Sequence, residues 1–294
     1  MKPSPAQSTY DPCTDMYVEI RKEETIPVMT KQQTNIIKGV AILMMIFYHL
    51  FNRVGADYHE LCQPLLYIGE RPLVNIIANA CHPVAFFLIL SGYGLSYVWE
   101  NKGNNLRQQG RRILKLYISY WIVMAIFVGM GCFINPAQYP RDFWSIIGNF
   151  ILGALLYRYA ARKPIQRLRI WQASALLVLL VGLEMLSSTQ ADDSFYAFFV
   201  ILLILQFPYQ NRMWGAFLAN LGRHSMPMWM CHTFLSIYLF PNFIYGFRYP
   251  LLIFVVLTAL SYAISIVVLK SSAVLENLFK LHCNHNHIIN ILFL

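Results

Sequence analysis

Charge is what this sequence lacks. Only 13% of its 294 residues are Asp, Glu, Lys or Arg, against roughly a quarter in soluble domains. Hydrophobic residues make up 57%, and the mean hydropathy is +0.47. Those values exclude a disordered chain, a collagen-like repeat and an ordinary water-soluble domain. Cysteine chemistry is missing too. The six cysteines are Cys13, Cys62, Cys81, Cys132, Cys231 and Cys283. No CxxC and no zinc spacing links them, so they read as small apolar fillers rather than a disulfide framework. The first 30 residues lack the apolar core of a cleavable signal peptide. They are polar, carry Pro3, Pro5 and Pro12, and leave the first apolar run to act as a signal anchor. No period-two alternation recurs, which argues against a β-barrel. Internal repeats and low-complexity tracts are absent.

What the chain does have is a series of apolar runs. Eight reach or approach the about 20 residues that span a bilayer. They cover 35–52, 75–98, 114–134, 143–157, 170–187, 195–209, 225–245 and 250–269. In lipid a helix satisfies its own backbone hydrogen bonds. The expected fold is therefore all-α, a transmembrane bundle of about eight helices. A polar segment (1–34) precedes the membrane domain (35–270), and a tail (271–294) follows it.

Lys plus Arg is 23 against 14 Asp plus Glu. On a soluble protein that excess would suggest nucleic acid; here the charges sit in short loops between apolar runs. With both termini cytoplasmic, 19 of the 23 basic residues fall inside, and only Arg53, Arg71, Arg141 and Arg248 fall outside. That is the distribution expected for cytoplasmic loops. The expected partner is the lipid bilayer of the cytoplasmic membrane, not nucleic acid.

Ionisable residues inside a membrane segment are costly and mark candidate functional sites. The sequence places Lys38, His49, His82, Glu184 and His232 there, with Ser91, Tyr93, Asn220 and Ser225 as weaker polar signals. Lys38 and His49 are eleven residues apart. Eleven residues make close to three turns, so both side chains share one helix face, about 16 Å apart along the axis. Lys38 sits near the cytoplasmic mouth, where headgroup anchoring is the bland alternative. His82 lies at a depth comparable to His49. Ser91-Gly-Tyr-Gly lies deeper and reads equally well as a packing notch. Arg107, Arg111, Arg112 and Lys115 cluster before the third run, suited either to phosphate binding or to anchoring. His282, Cys283, His285 and His287 alternate along the tail, and no metal site is assigned to them.

Four stretches together resemble the acyltransferase type 3 family of integral membrane proteins. They are IKGVAILMMIFYH ending at His49, FFLILSGYGL at 86–95, RRILKLY at 111–117, and LGRHSMPMWMCH at 221–232. The sequence departs from the family pattern in two ways. Lys38 stands where Arg is common, and a Trp-rich middle segment is missing after Asn149, so the chain reads as a shortened form. The resemblance implies transfer of an acyl group, with acetyl expected, from a coenzyme A co-substrate to a hydroxyl of a carbohydrate acceptor. No permanently bound cofactor is implied.

In that scheme His49 is the base, because a hydroxyl nucleophile needs one near neutral pH. Lys38, Arg111, Arg112 and Lys115 would bind the donor's phosphates. His82, Ser91, Tyr93, Ser225, His232 and Glu184 would line the site, with Tyr93 or His82 as oxyanion donor. Glu184 could touch a sugar hydroxyl or be an interfacial carboxylate. A transporter or flippase is the competing reading, although no inverted repeat and no obvious pair of broken helices supports it. A catalytically inactive family member is the third.

Overall fold

A computed structural model describes residues 25–26, 29–52, 61–102, 114, 118–126, 129, 143–162, 165–186, 193–208 and 212–285. Nearly all of these residues are helical. The helices are α1 (Lys31–Phe51), α2 (Leu73–Asn79), α3 (Pro83–Lys102), α4 (Phe143–Arg162), α5 (Ile170–Leu186), α6 (Asp193–Ile204), α7 (Met213–Thr233), α8 (Pro241–Tyr245) and α9 (Pro250–His285). Residues 118–126 are helical as well. Two small antiparallel pairs complete the structure. Thr25–Ile26 (β1) pairs with Ile165–Gln166 (β4), and Tyr67–Ile68 (β2) pairs with Arg71–Pro72 (β3).

Among the described residues, three helical segments are long and apolar enough to cross a membrane: Lys31–Phe51, Leu73–Asn101 and Pro250–Leu275. Shorter apolar helices cover Ile170–Leu186 and Ser194–Ile204. Apolar side chains remain open on the outside of the bundle, with Val178 72% and Leu186 83% exposed on α5. A surface of that kind suits lipid rather than water.

The central element is α1. Its start is fixed locally by a capping box: the Gln33 N–H donates to Thr30 Oγ1, and the Thr30 N–H donates to Gln33 Oε1. One face of α1 (Ile42, Met45, Ile46, Leu50) packs into a cluster with α7, α8 and α9. Another (Ile37, Ala41) packs into a second cluster with α3, α4 and α6.

Two helix pairs approach closely enough to require glycine. A Cβ on Gly39 of α1 would overlap the Leu218 carbonyl of α7, and a Cβ on Gly222 of α7 would overlap the Asn35 carbonyl of α1. Each glycine thus faces the carbonyl four residues before its counterpart, the geometry of two helices crossing in the same direction. Gly92 of α3 and Gly153 of α4 cross in the same sense, against the Phe150 and Ile89 carbonyls. The Gly-Tyr-Gly stretch is a packing notch at Gly92, while nothing lies close to Gly94.

The observed elements differ from the expected ones in three places. The second run is interrupted: α2 ends at Asn79, and α3 starts at Pro83. Proline suits the first turn of a helix, where its missing N–H costs nothing. The seventh helix begins at Met213 rather than near 225. It passes after Thr233 into a π-helical segment, Phe234–Leu239, and then the short α8. The last helix runs on to His285. Two interrupted segments are therefore present where none was expected.

Candidate functional site

His49 and His232 are brought together. Their ring centroids lie 5.0 Å apart, with the planes tilted by 53°. The cause is the α1–α7 crossing. His49 lies ten residues beyond Gly39, and His232 lies ten residues beyond Gly222. Helices that touch at the glycines and run in the same direction reach the two histidines at the same height, about 15 Å further on.

The two rings have different surroundings. His232 is 1% exposed. Its Nδ1 lies 3.2 Å from the Met228 carbonyl, and its Nε2 lies 3.2 Å from Thr233 Oγ1. A carbonyl can only accept, so Nδ1 carries the proton and donates. In the neutral ring Nε2 then accepts from the Thr233 hydroxyl. Both nitrogens of His232 are occupied. His49 stands in the last turn of α1, on the exposed side of the pair. It is the ring that an incoming molecule can reach.

The end of α1 that carries His49 is held from outside the helix. Asn75 Nδ2 of α2 donates to the Phe51 carbonyl at 3.1 Å and to the Asn52 carbonyl at 2.9 Å. The Tyr245 hydroxyl of α8 donates to the Leu50 carbonyl at 3.5 Å. The last carbonyls of a helix have no intrahelical partner, so these bonds fix the final turn. Neither Asn75 nor Tyr245 stood out in the sequence.

His82 lies at the α2–α3 break rather than inside a helix. Its Nε2 is 2.8 Å from Glu184 Oε1 of α5, and its ring meets the Tyr196 ring of α6 edge-on at 5.4 Å. Glu184 is thus paired, not a lone interfacial carboxylate.

Other expected site residues have structural partners. The Met29 N–H donates to the Tyr93 hydroxyl at 2.7 Å, and the Tyr93 ring abuts Tyr157. That residue belongs to the cluster with α3, α4 and α6, away from the one around His232. Ser91 and Ser225 donate within their own helices, to the Phe87 and Gly222 carbonyls, and Ser91 is exposed. Lys38 is half-buried beside the Gly39 crossing. Asn220 donates to the Tyr262 hydroxyl of α9. Next to it, His224 Nδ1 lies 2.9 Å from Ser265 Oγ. Arg107, Arg111, Arg112, Lys115 and His287 lie outside the described residues. Among the described residues no group of side chains could hold a metal ion.

Residues 32–149 match the acyltransferase domain family. It is the acyltransferase type 3 family that the motifs resemble. The matched part holds Lys38, His49, His82, Ser91 and Tyr93. It ends at Asn149. The acyltransferase match together with the apolar helices supports a multi-pass membrane acyltransferase. No curated protein and no solved structure matches the chain.

The signal that could have exposed the His49–His232 pair is the Gly-x9-His spacing shared by both helices, Gly39 to His49 and Gly222 to His232.

Proposed function

We propose that this protein transfers an acyl group, acetyl in the first instance, from a coenzyme A thioester to a hydroxyl of a cell-surface or exported carbohydrate. The observation that carries the reading is the exposed His49, inside the segment 32–149 that matches an acyltransferase domain, beside the buried, hydrogen-bonded His232 of α7.

His49 takes the proton of the acceptor hydroxyl. The oxygen attacks the thioester carbonyl, the carbon–sulfur bond breaks, and the departing thiolate takes the proton back. His232 acts behind His49: with both nitrogens engaged, it keeps one tautomer and gives the His49 ring a fixed neighbour. Lys38, Arg111, Arg112 and Lys115 hold the donor's phosphates at the cytoplasmic face. The positive charge of Lys38, roughly 16 Å along α1 from His49, leaves room for the extended arm of the donor between them.

Purified protein in lipid nanodiscs should bind acetyl-coenzyme A, and Lys38→Ala should weaken that binding by about tenfold, the value of one charge-assisted contact. No binding by the wild type would overturn the reading. A carrier is the second reading, favoured by the interruptions at Ala80–His82 and Phe234–Phe240, because broken spans mark substrate paths in transporters. Its sign would be movement of an unmodified glycan across sealed vesicles.

A further inference from the structure

Acyl transfer at His49 leaves the buried His82–Glu184 pair without a task. It lies at the break in a 29-residue apolar segment, Leu73–Asn101. Irregular backbone at membrane depth persists only where protein buries it or where it lines a polar cavity. The His82 and Glu184 side chains are 15% and 10% exposed; Glu184 is buried and His82 half-buried, so the pair is held inside the bundle rather than spread on the lipid-facing surface. Glu184 uses Oε1 for His82. Its other carboxylate oxygen bonds to no described residue, and it is not among the sealed polar atoms.

The chemistry of the pair narrows its ligand. A free carboxylate oxygen repels anions. Two side chains are too few for a metal site among the described residues. What a spare carboxylate oxygen in low-dielectric surroundings needs is a hydrogen-bond donor that is itself neutral, and a hydroxyl is one.

We propose that His82 and Glu184, at the α2–α3 break, form the subsite that holds the hydroxyl-bearing acceptor, a sugar ring, with Glu184 accepting a hydroxyl hydrogen. This rests on the acyltransferase reading. The break also ties the two places together. α2 carries Asn75, which holds the end of α1 behind His49, and the same short helix leads directly to His82.

The test uses the full chain in lipid nanodiscs, with methyl glucoside, methyl galactoside and methyl mannoside as probes in saturation-transfer NMR. The wild type is expected to bind at least one of them. Glu184→Gln and His82→Ala should weaken that binding by about tenfold or more, the loss of a hydrogen bond to a charged group. Leu183→Ala, an exposed neighbour on α5, should not. Acetyl-coenzyme A binding, measured in parallel, should be the same in all four proteins. Absence of sugar binding in the wild type, or wild-type affinity in Glu184→Gln, overturns the subsite. Joint loss of sugar and donor binding in both variants shows a purely structural pair and overturns it as well. Sugar binding by a wild type that binds no donor overturns the acyltransferase reading instead and leaves the sugar site standing.

Discussion

His49 and His232 stand opposite one another because each is ten residues past a glycine at which α1 and α7 touch, and their rings are 5.0 Å apart. The pair therefore depends on a crossing far from it. A shift of the two helices at Gly39 or Gly222 is carried along rigid helices to the histidines.

Gly39→Ala and Gly222→Ala should each force α1 and α7 apart, since the added Cβ meets backbone rather than a flexible side chain. Overpacking of this kind costs about 1–3 kcal/mol. The thermal unfolding midpoint in detergent should fall, and turnover should fall with it. Gly94→Ala, where nothing is close, is the control and should change neither.

His232→Ala should lower kcat by about tenfold while the KM for acetyl-coenzyme A stays near its wild-type value. The ring touches His49 and not the donor site near Lys38, so its loss disturbs the position of the base alone. Steady-state kinetics with the donor varied checks this.

Asn75→Ala removes the donor to two carbonyls at the end of α1. The expected cost is about 1–3 kcal/mol, together with a lower kcat. Hydrogen exchange at the last turn of α1 should rise in the variant, and exchange at the capped start near Thr30 should not.

Cys62 lies in the loop before β2, packed against the cluster of α1, α7, α8 and α9. Burial pushes its thiol up to about 11. Only the thiolate reacts with alkylating reagents, and this group gives up its proton only as the pH rises through that value. Labelling of the Cys62 peptide by iodoacetamide, read by mass spectrometry, should be slow at pH 7 and at pH 9. Unfolding the protein at pH 9 should accelerate it.

The sequence alone made some of this visible, and the physical reasons are specific. Lys38 and His49 were legible because a polar pair at helical spacing stands out in an apolar run. The first helix was placed from its apolar run, at 35–52; it starts earlier, at Lys31, because the capping box of Thr30 and Gln33 is polar and adds nothing to a hydropathy signal. The break at Ala80–His82 was not legible, because Cys-His-Pro continues an apolar stretch and proline inside a membrane run is common. The early part of α7, from Met213 to Asn220, is too mixed in polarity to read as part of a span. The His82–Glu184 pair joins residues about a hundred positions apart, which no local pattern reports. Asn75 read as an ordinary residue at the edge of a run, since its task is set by carbonyls on another helix.

The central claim is that His49 is the base of acyl transfer. The most direct measurement follows radiolabel from acetyl-coenzyme A into the carbohydrate fraction of membranes that contain the wild type or His49→Ala at matched amounts. The account predicts incorporation by the wild type and a loss of about a hundredfold or more in the variant, the usual contribution of a general base. Equal incorporation by the two proteins would contradict it.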